Sequence, residues 1–278
     1  MRVATAQLPG GDGGDGGDDS DDSDDRVFTT GDAVIVLDGA SAFLPVPVPA
    51  ATYADVLGKR LRDLLNAGPD RGLRDVLADG IAHTATVLGL SPGDSPSSTV
   101  TIVRQRDDDV DVLILGDNLV VLPDEVLTDD RMDQLDLPPR RRYRERLADG
   151  HGYDEEHQAT VREQQVQQAE RRNRPGGYWI AEADPAAAEH AILTRRPVRE
   201  APWAVLATDG AYNTMDYLGL DDWTVLAHAD ATDLADALRQ CDTWEAHGDP
   251  TGQALPRPKR HDDKTLAAVL FGPDPYGR

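Results

Sequence analysis

Residues 33–39 read Ala-Val-Ile-Val-Leu-Asp-Gly, and the reading of this stretch decides the rest. Five apolar residues in a row, with Val34, Ile35 and Val36 β-branched, predict a buried strand. The strand stops at a carboxylate followed by glycine. Asp-Gly is a frequent turn pair, so the plain alternative is a turn. The sharper reading is that the strand delivers Asp38 to the rim of a sheet, where a cation or a substrate could meet it.

The same design recurs along the chain. "VLILGD" ends on Asp117, "WAVLATDG" ends on Asp209, and "HDDKTLAAVLF" puts Asp262 and Asp263 just before a strand, with Asp263 offering an alternative register. If neighbouring strands place these ends together, four carboxylates converge, and protons or divalent metals must relieve their repulsion. Carboxylates, water and carbonyls suit magnesium or manganese. The seven histidines contain no His-x-x-x-His pair and Cys241 is the sole cysteine, which makes zinc the weaker choice. Two hard ions roughly 3.5–4 Å apart activate a bridging water for in-line attack on phosphorus, the chemistry of phosphate ester hydrolysis.

Composition bounds the partners. At 278 residues and 39% apolar content the chain can bury a substantial core. A formal charge of −23 argues against unaided binding to nucleic acid or anionic lipid. One cysteine allows no intramolecular disulfide. The start, "MRVATAQLPG", lacks the apolar core of a signal peptide, and no apolar run is long enough to span a bilayer. A cytoplasmic location away from membranes is the expectation. Arginine greatly outnumbers lysine and aspartate is abundant, a compositional bias rather than a signal.

Patterning places the motifs on elements. A short strand at Val3 to Gln7 precedes the glycine-aspartate tract "GGDGGDGGDDSDD", read as a solvated loop within 10–25. Strands Arg26 to Thr29 and Ala33 to Leu37 form a hairpin, followed by two amphipathic helices at about 51–68 and 70–90. A meander follows, "STVTIVRQ", "VDVLILGD" and "NLVVLP". Residues from about 128 to 174 are polar and helical in pattern, a surface insertion. Strand "YWIAE", helix "PAAAEHAIL", strand "WAVLATDG", two or three helices to about Ala246 and strand "TLAAVLFG" complete the chain. Hairpin-linked strands with paired helices predict an α+β fold in a single domain over 1–278. It is a four-layer α-β-β-α sandwich of two mainly antiparallel sheets, and no Walker or dinucleotide loop follows any strand.

In order along the chain, "DDRVF" with "VIVLDG", "SSTVTIV", "VDVLILGDN", "VLATDGAYN" and "DDKTLAAVL" together resemble the metal-dependent serine/threonine protein phosphatases of the 2C type, the PPM family, in its bacterial-like single-domain form. The likeness runs from about Val3 to Gly272. It implies a hydrolase that removes phosphate from phosphoserine or phosphothreonine in a protein substrate, through a metal-activated water and without a phosphoenzyme. It also implies a role in signalling and two or three Mg2+ or Mn2+ ions. Residue by residue, Asp38 would bridge two metals, with the carbonyl of Gly39 completing the second site. Asp209 and Asp262 would bind the first metal. Asp25 would hold water at the metals or stand just behind the ligands, and Asp117 with Asp209 would make a third, weaker site. Thr265, Ser98 and Thr99 match structural positions.

The departures are local. After Asp-Gly the chain reads Ala40-Ser41-Ala42-Phe43, with no histidine to protonate a leaving group; Asn118 replaces a common serine, and Asp263 stands where asparagine is usual. These departures favour a competing class, a catalytically weak module of the same fold that binds phosphoproteins or regulates a partner. A phosphatase for small esters is the third possibility. His261, beside Asp262, is a candidate proton donor. Asp24 and the acids before it are expected in solvent. The basic run Arg140 to Arg146 reads either as a flap that attracts phosphate or as a surface that neutralises Asp129, Asp130, Asp133 and Asp136. Trp179, Trp203, Trp223 and Trp244 are expected to pack within regular elements.

Overall fold

Every residue from Ala33 to Leu37 is buried, because the strand they form is covered on both faces. Ala33, Ile35 and Leu37 face one apolar cluster while Val34 and Val36 face another. A strand in the middle of a layered sandwich has no polar face, so its sequence is a continuous apolar run rather than an alternating one. The computed structural model describes residues 1–11, 23–40 and 45–272. Most of the glycine-aspartate tract, and the Ser41 to Phe43 part of the departure after Asp-Gly, lie outside the described residues.

The strands are β1 (Arg2–Leu8), β2 (Arg26–Thr29), β3 (Ala33–Leu37), β4 (Val100–Arg106), β5 (Asp109–Leu115), β6 (Leu119–Leu122), β7 (Glu125–Leu127), β8 (Ile192–Pro197), β9 (Trp203–Ala207) and β10 (Lys264–Leu270). They form two five-stranded sheets in the orders β1-β10-β9-β6-β7 and β2-β3-β4-β5-β8. All the pairings are antiparallel. The facing surfaces of the sheets enclose Val34, Val103, Val112, Ile114, Leu206 and Val269 among others.

Helices α1 (Ala50–Ala67) and α2 (Leu73–Leu88) cover the outer face of the second sheet through Leu57, Leu61, Val76, Leu77 and Ile81. On the first sheet, α5 (Asp209–Leu218), α6 (Trp223–His228) and α7 (Ala231–His247) pack through Met215, Leu226, Leu234, Leu238 and Cys241. The result is the four-layer α-β-β-α sandwich expected from the sequence. In the chain between β7 and β8, α3 (Pro138–Ala148) and α4 (Glu155–Ala169) form a pair with a small apolar seam of Tyr143, Leu147 and Val161.

Three expectations are corrected. "YWIAE" is not a strand: Ala181 exchanges two backbone hydrogen bonds with Ser98. Nearby, Ile180 N–H donates to the Asn173 side chain at 2.9 Å, so a side chain takes the place of a ladder partner. "PAAAEHAIL" is a 3₁₀ turn, Pro185–His190, capped by Asp184, and Ile192 already belongs to β8. The short edge strands β7 and β8 carry no apolar run that would have announced them. Among the tryptophans, Trp179 lies outside the helices and strands, stacked on His190 at 3.3 Å between ring centres.

One buried charge network stiffens the second sheet. Arg104 and Asp111 face each other across β4 and β5 at 2.9 Å, exposed by only 2% and 4%, and Arg195 on β8 adds a 2.6 Å contact to the same carboxylate. Burial alone would raise the Asp111 carboxyl, but Arg195 and Arg104 hold it below the usual carboxylate range. Removing one partner strands the other charge in the interior. Asp111→Ala is therefore expected to cost ~3–5 kcal/mol, measured as a lowered urea midpoint with an unchanged m-value.

Candidate metal centre

The acids come together because of strand direction. In the β2–β3 hairpin Arg26 pairs with Leu37, so Asp25 before β2 and Asp38 after β3 share one end of the sheet. On the other sheet Leu266 of β10 pairs with Ala207 of β9, which brings Asp209 after β9 and Asp262 before β10 to a common end. Asp117 lies in the link from β5 to β6, where the chain passes from one sheet to the other. Gly116 turns that link with φ +92°, a conformation that favours glycine, and packs on the Thr99 side chain. Asp38, Asp117, Asp209 and Asp262 line one cavity of about 330 Å³.

Asp25 joins the two sheets. It is fully buried, and its Oδ2 accepts from Thr208 Oγ1 at 2.9 Å and from Thr265 Oγ1 at 2.7 Å, both from the opposite sheet. Thr265 N–H in turn donates to Thr208 Oγ1 at 3.0 Å. The other oxygen, Oδ1, is buried without a hydrogen-bond partner among the described residues. An ionised carboxylate oxygen left so costs several kcal/mol, on the order given for buried polar groups without partners.

The electrostatics follow. Burial pushes Asp25 up to about 8, with Asp263 and Asp262 adding repulsion against the two threonine hydrogen bonds. Asp38 is held well above the carboxylate range by burial, then by Asp25, Asp209, Asp262 and Asp117. Burial and Asp209 raise Asp117 to about 7, and burial and Asp262 raise Asp209 to about 6 despite a hydrogen bond with Asp38. Such a cluster is unfavourable when ionised, and a cation or protons must compensate it.

Backbone contacts fix the ligand-bearing turns. Asp38 N–H donates to Thr99 Oγ1 at 3.0 Å, and its carbonyl accepts from Ser98 Oγ at 3.0 Å and from Thr99 N–H at 2.9 Å. Gly39 packs so closely on Asp24 that an added Cβ would stand 2.8 Å from the Asp24 carbonyl oxygen. Tyr212 hydroxyl donates to the Asp117 carbonyl at 3.1 Å. Asp263 is structural, accepting from Gly10 N–H at 2.7 Å and Asp24 N–H at 2.9 Å. Gly210 runs so close under Asp262 and Asp263 that a side chain there would collide with the Asp263 carbonyl.

Two neighbouring residues differ from expectation. Asp24 is half-buried, and it accepts from Ala51 N–H at 3.0 Å in the first turn of α1 rather than lying in solvent. His261 faces α7, with Nδ1 3.0 Å from Asp242 and 3.3 Å from Glu245, which hold it up at about 9. The expected proton donor thus serves an ion-pair network with Lys264, whose Nζ is 2.7 Å from Glu245.

The cavity is also lined by the basic residues Arg140, Arg144, Arg172 and Lys259. Within the basic run, Arg140 donates to the Met132 and Asp133 carbonyls, Arg141 pairs with Asp136, and Arg142 and Arg146 pair with acids of α4 and its cap. No tryptophan lines the cavity. Sequence reasoning missed Thr208 and Lys259. Thr208 stands directly before Asp209, and hydroxyl residues at strand ends carry no signal that separates clamp from cap.

No protein-family model matches the sequence, and no curated protein matches it. Solved structures do share its fold. The PPM Ser-Thr phosphatase MsPP from Mycobacterium smegmatis, in complex with cacodylate, is 17% identical with a TM-score of 0.53, over 98% of this chain and 99% of that one. The serine/threonine phosphatase Stp1 from Staphylococcus aureus is 13% identical with a TM-score of 0.57, over 98% and 96%. The serine/threonine phosphatase PstP/Ppp of Mycobacterium tuberculosis is 16% identical with a TM-score of 0.50, over 97% and 99%. The two five-stranded sheets with their outer helices are the fold of the PPM phosphatases. Among the described residues, no helix is long and apolar enough to cross a membrane.

Proposed function

We propose that this chain hydrolyses phosphoserine and phosphothreonine monoesters in protein substrates, with two hard divalent cations, magnesium or manganese, held by the aspartate cluster. The observation that carries the reading is Asp25 Oδ1, a buried carboxylate oxygen that has no donor among the described residues and that feels the charge of Asp263 and Asp262. The donor set is all oxygen, which fits magnesium or manganese and disfavours zinc. The fold shared with the phosphatases supports the same chemistry.

In this reading Asp38 would serve both ions, with the Gly39 carbonyl helping to hold one and Asp209 and Asp262 the other. Asp117 with Asp209 would hold a third ion more weakly. When bound, the ions supply a nucleophilic water and offset the charge that develops on the phosphoryl group. The protein's own residues do the positioning. Thr208 and Thr265 hold the Asp25 carboxylate by one oxygen, and Tyr212 fixes the turn that carries Asp117. The arginines among the cavity's lining draw the phosphate dianion in, where they can meet it with paired N–H donors.

The test is hydrolysis of p-nitrophenyl phosphate, then of a phosphothreonyl peptide, a nucleotide and a sugar phosphate, by stripped and by manganese-loaded protein. Manganese is expected to raise turnover by about a hundredfold or more over chelator, with the peptide preferred among the three esters. Preference for the nucleotide or the sugar phosphate would assign the site to small esters instead. No turnover by folded, metal-binding protein would leave a phosphoprotein-binding module.

A further inference from the structure

The chain holds three lysines against 25 arginines, and two of the three, Lys259 and Lys264, stand at the Asp262 turn. Lys264 has an evident structural role, since its Nζ donates to the Asp262 carbonyl at 2.8 Å and contacts Glu245. Lys259 has a different partner. Its ammonium lies 2.6 Å from Asp262 Oδ1, a side-chain oxygen of a proposed metal ligand, and it lines the cavity. Its charge also acts on Asp24, Asp38, Asp209 and Asp263.

This placement is built. The segment before Lys259 contains Pro256 and Pro258 and is pinned on two sides. His157 Nε2 on α4 is 2.8 Å from the Pro258 carbonyl, and Arg257 is 2.8 Å from the buried Asp249 carboxylate. Both anchors restrict where the Lys259 side chain begins. Nor is the ammonium needed to orient Asp262. The same Oδ1 accepts from Asp263 N–H at 3.0 Å, and Lys264 holds the backbone. What remains for Lys259 to contribute is charge, and lysine supplies it as a compact point charge rather than a planar fork.

We propose that Lys259 is a resident counter-ion of the aspartate cluster, neutralising it in the metal-free protein and lowering its affinity for divalent cations. The inference rests on the metal-binding reading given above. A fixed positive charge a few Å from a dication is repulsive at any effective protein dielectric constant. The same charge stabilises the cluster when no ion is bound. Loading must then displace the ammonium from Asp262 or accept its repulsion, and the metal site is weaker than its set of acids alone would make it.

The test is calorimetric titration of Mn2+ into the chelator-stripped full chain, together with thermal unfolding of the stripped protein. Variants are Lys259→Met, which keeps the length and loses the charge, and Lys259→Arg, which keeps the charge. Lys259→Met is expected to bind Mn2+ about tenfold more tightly than the natural chain and to unfold at a lower temperature when stripped. Lys259→Arg is expected to stay within about twofold of the natural affinity. Binding by Lys259→Met that is unchanged or weaker, with Mn2+ still bound by the natural chain, overturns this inference alone, because Lys259 then orients Asp262 instead of opposing the ion. Absence of Mn2+ binding by the natural chain overturns the metal-binding reading and this inference with it. Should Lys259→Met fail to fold, Lys259→Gln gives the same comparison.

Discussion

Asp38→Asn is expected to abolish manganese-dependent hydrolysis, by about a thousandfold or more in kcat, and at the same time to raise the melting temperature of the metal-free protein. The first half follows from the assigned role: without a carboxylate that would hold both ions, the site would lose the metals that supply its nucleophile and charge balance. The second half follows from the surroundings. Asp38 is held well above its ordinary range by burial and by Asp25, Asp209, Asp262 and Asp117, so its ionised form is unfavourable in the folded chain. Asparagine keeps the shape and removes that charge. An aspartate that served only a turn would behave in the opposite way, since its loss would lower the melting temperature. Activity under manganese and thermal unfolding under chelator together separate the two roles. A variant that is active, or less stable when stripped, would sink the assignment of Asp38.

The pH dependence of the stripped protein carries the second large effect. Asp209, Asp117 and Asp25 are raised to about 6, about 7 and about 8, from an ordinary value near 4. Between that value and the raised ones the folded state holds protons that the unfolded state has released. Stability is therefore lost as pH rises through this window. Because the carboxyls interact, the protons leave in steps that belong to the cluster rather than to single residues. Thermal unfolding under chelator is expected to fall by roughly 5–10 °C from pH 5 to pH 8, as several kcal/mol imply for a chain of this size. Manganese is expected to remove most of that fall, because ions bind the deprotonated carboxylates and release protons in doing so.

Two other sources of pH dependence act in the same direction. The chain's charge of −23 repels itself more as pH rises. His261, held up at about 9 by Asp242 and Glu245, contributes stability that is complete below its ordinary value of about 6.5 and is lost as pH approaches 9. Both persist in Asp38→Asn. Asp25, Asp117 and Asp209 persist there too, so the difference between the natural chain and that variant isolates the share of Asp38, and equal slopes in the two would overturn that share.

Much of the layered architecture could be read from the sequence because the sandwich is thick. Strands β3, β4, β5, β9 and β10 are covered on both faces, and covered strands are apolar runs. The Asp residues at their ends were legible for the same reason, as the first polar residues after an apolar stretch. What failed was peripheral or shared. The edge strand β8 reads Ile-Leu-Thr-Arg-Arg-Pro and has burial on one side at most. "YWIAE" has strand composition, but its backbone is satisfied in part by the Asn173 side chain. Asp24 sits in an acid tract where nothing marks one member as the partner of a helix start. Lys259 acquires its meaning from a turn three residues long that folds its ammonium back onto Asp262, a contact with no sequence signature.

Strand β10 lies between β1 and β9, with Leu270 opposite Arg2. During synthesis, at about 5–20 residues per second, β1 leaves the ribosome roughly 10–50 s before the strand it pairs with. Asp25 waits equally long for Thr265, and Asp38 for Asp262. Asp25 and Asp38, brought together by their own hairpin, therefore stay without Asp262 until the segment before β10 has been made. The proposed site is thus completed only with the segment that carries Asp262 and Thr265.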